Sequence, residues 1–209
     1  MSKYQQVFFD FDGTICDTYP GKSLALIHTL KARGFENIHE KTIKSLVKTS
    51  LKKGLEKQFN IKDKKELNLF LADFNEAYEK EFMFYATLYD GIFDLLKKLS
   101  ASVKLHIVSA KPKKMVTALL AHHKISSYFK TVNCVEKKNG CRSKTAIIAG
   151  LKKSDHCVMI GDQSADVRAA KNNHIASIAV TYGYGRKSEL LNSCPDMIIA
   201  HPTEIIAKL

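Results

Sequence analysis

With 209 residues, 45% of them apolar and 26% charged, the chain has a globular composition, which excludes a disordered or fibrous protein, and a length that fits one main domain carrying an insertion. Thirty-three Lys and Arg against 21 Asp and Glu give a net charge of +12, a balance that suggests anionic partners and says nothing about fold. Only Arg33, Arg142, Arg168 and Arg186 are arginines, so 29 of the 33 basic residues are lysines; bidentate reading of bases and phosphates favours arginine, which weakens the case for a dedicated nucleic-acid reader.

Residues 1–6 hold no apolar stretch of signal-peptide length, and no run approaches a membrane span. The first strand is predicted at 6–9 and leads directly into an acidic turn at 10–14. Only amphipathic helices follow, to about residue 86. They are predicted at 22–33, ending on Gly34, at 40–59 with a break near Thr49 and Ser50, and at 63–85 with Asp63 and Glu66 as a capping box. Strands are then expected at 103–108, 157–160 and 175–180, with weaker ones at 131–135 and 197–199. Helices at 112–123, 144–151 and 164–173 alternate with them. The expected fold is α/β, a doubly wound, mostly parallel sheet formed by 1–16 and 88–209, interrupted by an α-helical domain at 17–87. Small residues at 18–21 and 90–91 suit hinges between the two. Cys16, Cys134, Cys141, Cys157 and Cys194 are odd in number, widely spaced and without a CxxC pair, so neither disulfides nor a zinc site are expected, and a reducing cytoplasm is the expected location.

The residues that carry chemistry sit where strands end. In doubly wound sheets ligands bind at the carboxyl edge, and Asp10-Phe11-Asp12-Gly13-Thr14 lies there. Two carboxylates two residues apart raise each other's pKa; a divalent cation relieves that cost, and oxygen ligands suit Mg²⁺. A second acidic pair, Asp162 and Asp166, follows the strand at 157–160. Ser109 ends another strand, and Ala110-Lys111-Pro112 after it offers a helix start to an anion. Lys144 opens the helix before the second acidic pair. Singly, each has a plain structural reading as a cap or a solvated side chain. Together they supply a nucleophile, a hydroxyl, a cation and metal ligands in one sheet.

In order and spacing these segments resemble the haloacid dehalogenase superfamily of hydrolases, in its phosphatase branch with a helical cap inserted after the first motif. Asp10 to Thr14 match D-x-D-G-T, Ser109 the hydroxyl motif, Lys144 the lysine motif, and Asp162 with Asp166 the G-D-x-x-x-D motif. Ser109-Ala110-Lys111-Pro112 and Thr181-Tyr182-Gly183-Tyr184-Gly185 look most like phosphoglycolate-phosphatase-type members. The resemblance covers essentially the whole chain and implies that Asp10 attacks phosphorus and Asp12 serves as general acid and base. It implies Mg²⁺ on Asp10, the carbonyl of Asp12 and Asp162, with Asp166 as an outer ligand or as the group that orients Lys144. Ser109 and Lys144 would hold the phosphoryl oxygens, with Gly13, Thr14, Ala110 and Lys111 beside them. Gln163 stands where Ser or Thr is common.

Asp12 separates this chain from haloalkanoate dehalogenases and from phosphonate-cleaving relatives, neither of which needs an acid there. The expected substrate is a small phosphomonoester: phosphoglycolate, a nucleoside monophosphate or pyrophosphate, in that order. Alternatives are a sugar-phosphate mutase of the same fold and a catalytically idle, basic nucleic-acid-binding protein. No membrane partner and no specific nucleic acid are expected; the oligomeric state is left open. Within 48–54, Lys48 and Lys52 either favour a second anionic group on the substrate or decorate a solvated turn.

Overall fold

The computed structural model describes residues 3–48, 51–135 and 143–209. Its contacts divide the chain into two compact units, Thr18–Thr87 and a second built from Met1–Asp17 with Leu88–Leu209.

The first unit is helical: α1 (Tyr19–Ala32), α2 (Glu40–Lys48), α3 (Leu51–Gln58) and α4 (Lys64–Ala77). Leu26 and Leu30 of α1, Ile43 and Leu46 of α2, Leu55 of α3 and Leu67 and Phe70 of α4 close over one another as its core, each contributing about 1.5–3 kcal/mol through burial. Asp63 caps α4, its carboxylate accepting the Glu66 N–H at 2.8 Å. The segment 18–21 opens α1, with Pro20 in a first helical turn, where it costs nothing. One expectation fails here. The helix expected to run from 63 to 85 stops being α-helical at Ala77 and continues as a π turn, Tyr78–Phe82, and a 3₁₀ turn, Met83–Tyr85. The Phe82 carbonyl there lies so close to Gly21 that a Cβ on that glycine would sit 2.2 Å from its oxygen. Gly21 serves close packing at this point.

The second unit carries a six-stranded parallel sheet: β1 (Gln6–Phe9), β2 (Lys104–Ser109), β3 (Phe129–Cys134), β4 (Cys157–Gly161), β5 (Ala176–Val180) and β6 (Met197–Ile199). Their spatial order is β3-β2-β1-β4-β5-β6. Every residue of β1 and β4 is buried, as expected for strands covered on both faces. Helices α5 (Ile92–Ser100), α6 (Lys113–His122), α7 (Lys144–Leu151) and α8 (Ser164–Lys171) connect the strands, and Phe8, Val108, Cys157 and Met159 from the sheet pack with Ile147 and Ile148 of α7 and Ala169 and Ala170 of α8. The strand order reverses beside β1: β2 follows on one side and β4 on the other. The crevice at the carboxyl ends of β1 and β4 is therefore where such a sheet binds ligands, and Phe9, the last residue of β1, pairs in register with Ile160, one residue before the end of β4, so both strands run out side by side into the acidic turns. No helix among the described residues is long and apolar enough to cross a membrane.

Candidate active site

Asp10 leaves β1 with its N–H still donating to the Ile160 carbonyl at 2.9 Å, so its place beside β4 is fixed by the sheet. The chain then turns sharply: the N–H groups of Ile15 and Cys16 both donate to the Phe11 carbonyl at 3.0 Å, and that of Gly13 to the Cys16 carbonyl at 2.9 Å. Gly13 adopts φ +80°, and a Cβ there would lie 2.5 Å from Asp162 Oδ2. Only glycine lets the two acidic turns approach this closely.

Carboxylate oxygens of Asp10, Asp162 and Asp166 lie within 4.8 Å of one another, all buried. Lys144, first residue of α7, is placed by Ser143, whose hydroxyl accepts the Ala146 N–H. Its ammonium reaches Asp10 Oδ2 at 2.7 Å and Asp166 Oδ1 at 2.6 Å. Burial by itself would lower the pKa of Lys144, but these two carboxylates hold it above the ordinary lysine value. Asp166 Oδ2 accepts the Gln163 N–H at 3.0 Å. Both of its oxygens are thus engaged, which fits orienting Lys144 better than ligating a metal. Burial, then the Asp10 charge, pushes Asp162 up to about 6.

Asp162 shows what the site lacks. Its Oδ2 accepts from Tyr184 N–H at 2.7 Å, Gly185 N–H at 3.1 Å and Gln163 Nε2 at 3.0 Å, while its Oδ1 is buried with no partner. Three buried carboxylates face one ammonium, and an acidic surplus of that kind is retained where a cation binds. A hard divalent cation fits both the charge and the oxygen donors.

Ser109, at the end of β2, is buried and accepts the Lys111 N–H on its hydroxyl at 3.3 Å; Ala110 between them is exposed. Thr14 is buried and its hydroxyl has no partner. Lys111, expected beside the substrate phosphate, buries its side chain and brings its ammonium 3.3 and 3.4 Å from the two oxygens of Asp12.

Residues 7–180 match the family model of haloacid dehalogenase-like hydrolases. The chain belongs to that family. This hydrolase is 29% identical to a phosphoglycolate phosphatase of Vibrio vulnificus, over 92% of this chain and 90% of the relative. It is 24% identical to a 5'-nucleotidase of Pseudomonas aeruginosa, over 90% and 87%. Among solved structures, a haloacid dehalogenase-like family hydrolase of Streptococcus pneumoniae aligns with TM-score 0.85 at 25% identity, covering 100% of this chain and 99% of that one.

The remaining expected site residues of the hydrolase lie in its helical unit. Lys52 is exposed in the first turn of α3, so 52–54 is helix instead of the expected turn. The side chain of Lys48 and residues 49 and 50 lie outside the described residues. Sequence reasoning missed the residues that brace the acidic turns. Tyr182 donates its hydroxyl to the Thr14 carbonyl at 2.8 Å, and Tyr184 donates to Asp17 Oδ1 at 2.7 Å. The available signal was the alternation of glycine and tyrosine in Thr181-Tyr182-Gly183-Tyr184-Gly185, which marks backbone held close to something and aromatic rings with polar tips.

Proposed function

We propose that this hydrolase removes the phosphoryl group from a small phosphomonoester, with Asp10 as nucleophile and Mg²⁺ held by Asp10, the carbonyl of Asp12 and Asp162. The observation that carries the reading is the unpartnered, buried Asp162 Oδ1 beside an Asp10 already aligned by Lys144. When bound, the ion neutralises the non-bridging phosphoryl oxygens and the site's surplus negative charge. The protein's own groups do the rest. An Asp10 carboxylate oxygen forms a bond to phosphorus as the ester P–O bond breaks, and the electron pair leaves with the ester oxygen. The Asp12 carboxyl gives that oxygen its proton; in the second half, Asp12 takes a proton from the water that attacks the phosphorus of the aspartyl phosphate, releasing phosphate and restoring Asp10. Lys111, beside Asp12, positions this group, and Lys144 with the Ser109 hydroxyl steadies the transferred phosphoryl oxygens. Asp166 orients Lys144.

The names of the relatives support phosphoglycolate and nucleoside monophosphates as first substrates to try. We assign the choice between them to the helical unit, acting as a cap. A phosphate-release screen over phosphorylated metabolites, run with Mg²⁺ and with EDTA, tests the reading. Activity should require the metal and fall at least about 10³-fold in Asp10→Asn with the fold intact; an Asp10→Asn protein that keeps its activity removes the covalent mechanism.

A further inference from the structure

The segment 181–185 after β5 touches both acidic turns. Its backbone closes on Asp162, because Tyr184 and Gly185 donate their N–H groups to Asp162 Oδ2 at 2.7 and 3.1 Å. A Cβ on Gly183 would lie 2.2 Å from the Gly13 carbonyl oxygen and 2.4 Å from Asp162 Cβ, and one on Gly185 would lie 1.8 Å from the Asp162 carbonyl oxygen. The glycines therefore let this strap lie flat against both turns at once. Its side chains hold the other turn: the Tyr182 hydroxyl on the Thr14 carbonyl and the Tyr184 hydroxyl on Asp17 Oδ1. Tyr182 is backed by the Tyr89 ring, centroids 4.8 Å apart.

Tyr184 is the one residue that ties Asp162 with its main chain and Asp17 with its side chain. We infer that Tyr184 is a positioning residue for the divalent cation: the Tyr184–Asp17 hydrogen bond fixes the distance between the two acidic turns and so sets the affinity with which Asp10 and Asp162 take the ion. The inference rests on the metal site proposed above. Physically, the strap's N–H groups occupy Asp162 Oδ2 and leave Oδ1 as the unpartnered oxygen of a carboxylate grouped with Asp10 and Asp166. Without the Tyr184–Asp17 bond the strap keeps only Tyr182 on that turn, the residue that bonds Asp162 loses its own tether, and carboxylate ligands held by outer hydrogen bonds lose affinity when those bonds go.

The experiment is Mn²⁺ binding to the substrate-free protein, followed by the free-ion electron paramagnetic resonance signal, with thermal unfolding in EDTA alongside. Tyr184→Phe should weaken Mn²⁺ binding about fivefold, less than the roughly 10- to 100-fold typical of losing a group in direct contact with a ligand. Asp17→Ala should weaken it by the same factor, and the double variant by no more than either. Asp17→Asn keeps an accepting oxygen in place and should bind within about twofold of the parent. A purely structural role would lower the unfolding temperature in EDTA and leave Mn²⁺ affinity alone. Affinities of Tyr184→Phe and Asp17→Ala unchanged from the parent, or factors that multiply in the double variant, overturn the inference, as does a parent protein that binds no Mn²⁺. If Tyr184→Phe fails to fold, Asp17→Ala against Asp17→Asn decides the matter. The hydrolytic reading fails separately, on absence of phosphate release from a protein that does bind the ion.

Discussion

The two ends of one sheet bury polar groups in opposite ways. From Gln6, at the amino end of β1, a neutral network runs across β2 to β3. Gln6 Nε2 meets His106 Nε2 at 3.1 Å, His106 Nδ1 meets Thr131 Oγ1 at 2.8 Å, and Asn133 Nδ2 donates to the same Oγ1 at 2.6 Å. The second Gln6 N–H goes to the Leu151 carbonyl and its Oε1 accepts the Lys153 N–H. With Gln6 donating to Nε2, the ring proton sits on Nδ1 and donates to Thr131. At the carboxyl end lies a charged cluster, Asp10, Asp162, Asp166 and Lys144, which leaves Asp162 Oδ1 and the Thr14 hydroxyl unpartnered. The first network is complete and costs the fold little. The second is incomplete, and buried polar atoms left without partners in a cluster of this kind are a mark of function.

The largest way to break that contrast is to remove the one cation from the charged end. Lys144→Met leaves Asp10 and Asp166 buried without their ammonium, and should cost about 3–5 kcal/mol of unfolding free energy at pH 7, besides the activity. Urea unfolding in EDTA reads the loss. Because the stranded carboxylates can take up protons, the deficit should shrink toward pH 5. A variant within about 1 kcal/mol of the parent would mean that the carboxylates find other partners.

At the neutral end the lever is pH. Burial, helped by the charges of Lys104 and Lys130, lowers the His106 pKa from 6.5 to about 4. The unfolded chain then binds the extra proton between those values, so this stability is present above pH 6.5 and is lost as pH falls toward 4, by about 2 kcal/mol after allowing for solvent screening. Asp162, whose pKa is raised to about 6, runs the other way in the metal-free protein. Whatever stability its protonation gives is lost as pH rises through 6. Comparing the parent with His106→Gln isolates the histidine: their difference in unfolding free energy should narrow by about that amount from pH 7 to pH 4.5. A difference independent of pH would sink the assignment of a neutral, buried imidazole.

Sequence reading reached the two ends unequally, for a physical reason. Asp10, Asp12, Ser109, Lys144, Asp162 and Asp166 were legible because strand ends and helix starts are local features, and the fold itself carries them to one crevice. The network of Gln6, His106 and Thr131 was not, since it joins residues 100 and 25 positions apart and each alone looks like an ordinary strand residue. The strap was half legible: the glycines announce close approach, but nothing local says that Asp162 and Asp17 are what they approach. The Lys111–Asp12 pair was not legible either, the two being 99 residues apart. In the helical unit the period gave the helices, but it runs on unbroken past Ala77, so the change from α-helix to π turn there was not legible.

The smallest expected effect tests whether the charged end is incomplete in one oxygen or in general. Gln163 departs from the Ser or Thr common at its place, and its amide is one of three donors on Asp162 Oδ2. Gln163→Ser removes that donor but leaves the Tyr184 and Gly185 N–H groups, so Oδ2 stays satisfied and Oδ1 stays the unpartnered oxygen. A serine also suits the cap position of α8, worth about 0.5–1 kcal/mol at most. Stability should therefore stay level or rise slightly, and Mn²⁺ affinity should change by less than about threefold, below the loss typical of a group that holds a ligand alone. A tenfold loss would show that the side-chain amide, not the strap, holds Asp162 in place, and would move the weight of the positioning role from Tyr184 to Gln163.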